Sequence, residues 1–205
     1  MSPDKIPINW FDLALVVVLL LGIWRGRKLG MSGQLLPLLT WVGIFFGAGL
    51  GYEPLAEMLL RNTPLGQLAC RVLAYLAVVL GGLILFSLIR YRLGGKLIGS
   101  DAFGSLEYYL GMAAGMLQFA AILLVLLALL NARLYNVAEV RAMQRFQQEN
   151  YGSNFFPTLQ SVQQVVFVES FTGPHLKRFA ERFFIRPTPP GGGKLKRIEK
   201  ELPGV

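Results

Sequence analysis

A single cysteine, Cys70, and a single histidine, His175, stand in the whole chain. One cysteine excludes an intrachain disulfide and any cysteine cluster. One histidine leaves no multi-histidine metal centre, and no constellation of residues resembles a hydrolytic triad. Charge is scarce too: 16% of the 205 residues are charged, where a soluble domain carries roughly a quarter. No paired-carboxylate site is visible, and the glycines of "LGGK", 93–96, lack the remaining spacing of a phosphate loop. The chain is therefore read as non-enzymatic, with no cofactor and no metal.

What is abundant is apolar surface. Hydrophobic residues make up 54% of the chain, and the mean hydropathy is +0.50. They gather in four blocks before Asn131, at about 8–24, 33–51, 68–90 and 108–130. A bilayer core of ~30 Å needs ~20 helical residues, and backbone in hydrocarbon must satisfy its own hydrogen bonds. Each block is therefore expected to be a transmembrane helix. The first is not read as a cleaved signal peptide, because its positive charge follows the apolar run and no small-residue cleavage site is visible.

The few charges that interrupt the apolar blocks set a direction. Arg25, Arg27 and Lys28 follow the first block, and Arg90, Arg92 and Lys96 follow the third. The opposite side offers Lys5, Arg61 and Arg71. Short cytoplasmic loops collect Lys and Arg, so the two basic turns are expected in the cytoplasm and both termini outside it. The formal net charge of +8 suits anionic lipid better than nucleic acid once a membrane domain is attached.

Glycines recur every fourth residue at Gly22, Gly26 and Gly30, again at Gly43, Gly47 and Gly51, and at Gly111 and Gly115. That spacing puts small residues on one helix face, where two backbones approach closely. These faces are expected to be helix contacts, within one protomer or between protomers.

"NWFDLALVVVLLLGIWRGRKLGMSGQLLPLLTWVG", 9–43, resembles the opening of the colicin V production protein (CvpA) family. The family begins with an aromatic-Asp pair, an apolar span, a Gly-x-x-Arg-Gly turn and a second span with Trp and small residues. Phe11-Asp12, Gly22, Arg25-Gly26 and Trp41 stand in those places. "LEYYLGMAAGMLQF", 106–119, is similar to the family's acidic residue ahead of a Gly-x-x-x-Gly pair, here Glu107, Gly111 and Gly115. The family often continues with Arg-Gly, where this chain has Gln118-Phe119. The resemblance covers about residues 8–131. It implies a four-span protein of the bacterial inner membrane, with a role in toxin production.

Four polar residues interrupt or border the apolar blocks. Asp12 follows Asn9 by three residues, as in an N-terminal cap, and reads either as part of that cap or as an intramembrane carboxylate. Arg71 enters the third block from the same side and is a plausible partner for it. Glu107 reads as a clamp to Arg25, Arg27 and Lys28, or as a charge at a helix N-terminus. Gln118 lies inside the fourth block and needs a partner on a neighbouring helix.

Residues 132–186 are expected to form an amphipathic helical tail, and 187–205 a basic, flexible C-terminus. In "GPHLKRFAERFFIRP", 173–187, Leu176, Phe179, Ala180, Phe183 and Phe184 recur at helical spacing, opposite Lys177, Arg178 and Arg182. Such a helix either lies in an anionic lipid interface or docks on protein. Together these features predict an all-α integral membrane protein, four transmembrane helices and then the tail. The expected function is a component of toxin production or export. The alternative is a small oligomeric channel or transporter built around Asp12, Arg71 and Gln118. Expected partners are the lipid bilayer and other membrane proteins or further copies of the chain, and not nucleic acid.

Overall fold

The computed structural model describes residues 9–97, 104–151 and 158–189. Within them the chain is helical. The long elements are α1 (Trp10–Asn62), α2 (Gln67–Leu97) and α3 (Glu107–Leu130), each long and apolar enough to cross a membrane. The shorter α4 (Val137–Tyr151), α5 (Leu159–Gln164) and α6 (Gly173–Ala180) form the tail. The expected start of the first span at residue 8, the side chain of Lys96 and the basic end at 190–205 lie outside what is described.

The first two expected spans occur in one element. Its helical geometry breaks only at Gly30 (φ 68°, ψ 177°), a left-handed φ that glycine adopts without steric cost. Neighbours on either side of the break show that the chain turns back there. Gly22 and Gly26 face Gly115 and Gly111, so residues 10–29 run antiparallel to α3. Beyond the break, Gln34 bonds to Gln118, and Tyr52 reaches the tail segment that Asn131 also holds at the end of α3. Residues 31–62 therefore run alongside α3, and antiparallel to α2 through Gly43–Phe86 and Ile44–Gly82.

This geometry corrects the expected basic turns. Arg25, Arg27 and Lys28 lie in the last turns of the first limb, and Arg90 and Arg92 lie within α2. Cations near a helix C-terminus are stabilised by the partial negative charge of its unsatisfied carbonyls, so helix continues through Arg25, Arg27 and Lys28 until glycine ends it.

Two kinds of packing hold the bundle. Away from the tail the helices meet through glycine. Near the tail they enclose a side-chain core of Ile44, Phe45, Ala48 and Tyr52 with Ala74, Tyr75, Val125 and Ala128. Phe11 and the tail residues Val166, Phe167, Ala180, Phe184 and Ile185 complete that core. The outward faces are apolar, with Leu20 57% exposed, Leu80 58%, Ile84 62% and Leu126 57%. Water would penalise so broad an apolar surface, whereas lipid does not.

Candidate functional site

At the glycine crossing, a Cβ built on Gly22 would lie 2.7 Å from the carbonyl oxygen of Gly115, and one on Gly26 closer still to that of Gly111. The obstructing atoms are backbone, which cannot rotate away as a side chain does. Gly30 sits against Glu107. In the second limb the rhythm marks contacts with α2 at Gly43 and, more loosely, Gly51, but not at Gly47. Gly43 touches only the ring of Phe86, Gly51 has only Val78 near 4 Å, and Gly47 has nothing within 4 Å. The close approach there falls on Gly49, against the backbone of Phe183. Residues 43, 47 and 51 share a face, but the tail docks beside it.

Glu107 does not clamp the nearby cations. Its Oε1 accepts from the backbone N–H of Ser32 at 2.6 Å, just past the turn, and its Oε2 has no hydrogen-bond partner. The carboxylate thus caps the start of the second limb, where free N–H groups and the helix dipole favour negative charge. Gln118 is 5% exposed and accepts a hydrogen bond from Gln34, which is fully buried. Gln34 was not anticipated. Its polar side chain stands in an apolar run, and nothing in the sequence says which helix faces it.

The expected Asp12–Arg71 pair does not form either. Asn9 caps the first helix, and Asp12 Oδ2 accepts from the Asn9 N–H at 3.0 Å. The same carboxylate accepts from the N–H of Phe171 at 3.1 Å, the N–H of Thr172 at 3.0 Å and the Thr172 hydroxyl at 2.5 Å. Arg71 instead donates to the Arg186 carbonyl and to Thr188 Oγ1, both at 3.0 Å. Asn131 donates to the Ile185 carbonyl at 3.1 Å, and the Arg186 N–H donates to the Tyr52 hydroxyl at 3.0 Å. Each long helix thus holds the tail by a polar side chain near its tail-side end.

The tail helix is shorter than expected. α6 ends at Ala180, a single 3-10 turn follows at Glu181–Phe183, and the backbone is extended at Phe184. Phe184 and Ile185 are both buried, and on a continuing helix Ile185 would lie on the face opposite Leu176, outside the single buried stripe of a surface helix. Phe183 packs on Phe45 and Phe46 at ring separations of 5.3 and 4.9 Å, and Lys177 lies over the ring of Phe167 at 5.1 Å. Phe179 leaves the stripe and is 80% exposed, with Arg178 and Arg182 exposed beside it.

One contact in this latch is weak. The Arg186–Glu53 ion pair measures 2.9 Å, but its side chains are 73% and 42% exposed. Exposed pairs contribute at most about 1 kcal/mol. Glu53→Gln is therefore expected to leave thermal unfolding in detergent within that margin. A larger loss would mean that this pair, rather than Asp12, dominates docking.

At the opposite end the basic residues line two cavities. Arg27 and Lys28 share one of about 650 Å³ with Trp24, Tyr108, Tyr109 and Met112, and Lys28 Nζ stands 3.9 Å over the Trp24 ring. Arg25 and Arg90 share a narrower one, of about 250 Å³, that reaches Gln118.

Long apolar helices with lipid-like outer faces define a helical membrane protein. The chain belongs to the colicin V production protein family, whose model matches residues 11–163. That span includes the glycine crossing, Asp12 and Gln118, and ends before the tail residues that bind Asp12. Searches of curated proteins and of solved structures gave no match.

Proposed function

We propose that this chain is a non-enzymatic component of the bacterial inner membrane that crosses it four times and supports colicin V (toxin) production or export. Membership of the colicin V production protein family carries the reading. The reversal at Gly30 supports counting the two limbs of α1 as separate spans. In a colicin V-producing host deleted for its own family member, cells carrying this chain should release more toxin than cells without it. Equal release would overturn the proposal.

The basic end is taken to face the cytoplasm, which leaves the latch and both termini outside. In a Cys70→Ser background, cysteines placed at Ser2 and Gly192 are then expected to react with an impermeant thiol reagent on intact spheroplasts. Labelling only after lysis reverses the orientation. Anionic lipid remains the proposed partner of the tail, through exposed Phe179, Arg178 and Arg182.

The alternative, a small oligomeric channel or transporter component, is favoured by one observation. The Gln34–Gln118 pair puts polar groups between apolar helices. Asp12 and Arg71, by contrast, are engaged by the tail. Solute flux through liposomes holding the purified chain would support this alternative over the first reading.

A further inference from the structure

We infer that the groove between Arg25 and Arg90 is a binding site for the phosphate of an anionic phospholipid headgroup. The inference rests on the membrane-spanning reading above. The groove is a junction of the whole bundle: Arg25 comes from the first limb, Trp41 from the second, Phe86, Ser87 and Arg90 from α2, and Gln118 from α3.

Its chemistry points to an anion. Two guanidinium groups, both exposed, border one cavity of about 250 Å³, so an anion seated there would be attracted by both. Among the described residues neither arginine has a carboxylate partner, since the ion pairs there are Arg133–Glu139 and Arg186–Glu53. At the floor, Gln118 Oε1 is occupied by Gln34, while its Nε2 makes no hydrogen bond among the described residues and remains a donor. Ser87 adds a hydroxyl. Guanidinium groups present paired N–H donors that match phosphate oxygens, so the donor set fits a phosphodiester.

Size and surroundings favour a lipid over a free anion. Ligand pockets for drug-sized molecules run from roughly 300 Å³ upward, so this groove holds a headgroup and little more. Its aromatic walls, Trp41 and Phe86, suit the start of an acyl chain. Beside Ser87 on α2, the exposed stripe of Leu80, Ile84 and Leu88 continues as an apolar track. The wider cavity at Arg27 and Lys28 is a poorer candidate, because Lys28 already lies on Trp24 and no buried amide closes it.

The test uses the full chain, purified in detergent. Flotation with neutral liposomes comes first: failure to float sinks the membrane reading itself, whereas the steps below address the groove alone. Phosphatidylglycerol or phosphatidylcholine is then added and retained lipid is counted by native mass spectrometry. Wild type is expected to retain phosphatidylglycerol selectively. Arg25→Gln/Arg90→Gln should lose about tenfold or more of that retention, because each cation near an anionic headgroup contributes to it. Arg27→Gln/Lys28→Gln removes equal charge outside the groove and should change it little. Arg25→Lys/Arg90→Lys keeps the charge but not the paired donors, and should weaken retention several-fold. Retention at the wild-type level in the glutamine pair or in the lysine pair overturns the proposal. So does complete displacement of the lipid by millimolar inorganic phosphate, which would assign the groove to a soluble anion.

Discussion

Gly26→Leu should yield no folded protein, whereas Gly47→Leu should behave as wild type. The two glycines belong to the same four-residue rhythm but stand in opposite surroundings. A Cβ at Gly26 meets the carbonyl oxygen of Gly111 and the backbone of Gly115, and one at Gly47 meets nothing within 4 Å. Overpacking a core costs about 1–3 kcal/mol when side chains can shift. Here the obstructing atoms are backbone on a rigid helix, so the first limb must leave α3. The loss is expected to exceed about 3 kcal/mol, the upper end of that range. An exposed substitution such as Gly47→Leu usually stays within about 0.5 kcal/mol. Monodisperse yield after detergent extraction and the thermal midpoint in detergent measure both. Equal behaviour of the two variants would make the glycine crossing incidental.

Asp12→Ala should release the tail while leaving the bundle assembled. The carboxylate accepts two backbone N–H groups and a hydroxyl from Phe171 and Thr172. Hydrogen bonds to a charged group each contribute about 1.5–3 kcal/mol, and the donors left behind would be partly buried and unsatisfied. A net loss of about 3–5 kcal/mol follows if the three bonds are not independent, which is a hundredfold or greater shift toward the undocked tail. Hydrogen exchange across residues 170–186 should accelerate accordingly, while residues 107–130 keep their protection. Unchanged exchange in the tail would confine Asp12 to capping the first helix through Asn9. Phe45, Phe46 and Gly49 would then carry the docking through Phe183.

The chemistry that makes these helices was readable without coordinates. Runs such as 8–24 and 108–130 are too apolar to be stable in water and long enough to cross a bilayer, and that follows from composition alone. Asn9 three residues before Asp12 identifies a helix start, because capping is a local interaction. Glycine spacing at 22, 26, 111 and 115 likewise marks surfaces that tolerate no side chain, but it cannot say which surfaces meet. Position 47 shows the limit, since the same spacing there faces open space.

Partner choice was decided only in three dimensions. Asp12 and Arg71 have opposite charge and enter from the same side, yet each is taken by the tail, about 160 and 115 residues away respectively. No local pattern foretells contacts at such separation. The tail helix differs for a related reason: its spacing implies one continuous helix to 186, but Ile185 would then point away from the stripe of Leu176 and Phe184, and burying it against the bundle requires helix to give way after Ala180. Gln34 is similar, an isolated amide whose meaning depends on Gln118 across the bundle. Sequence by itself determined the solvent this protein needs and where its first helix begins, because those depend on hydrophobicity and capping along the chain. The tertiary structure alone decided which polar groups pair and how the tail closes one end, because those depend on helix rotation and register that only packing sets.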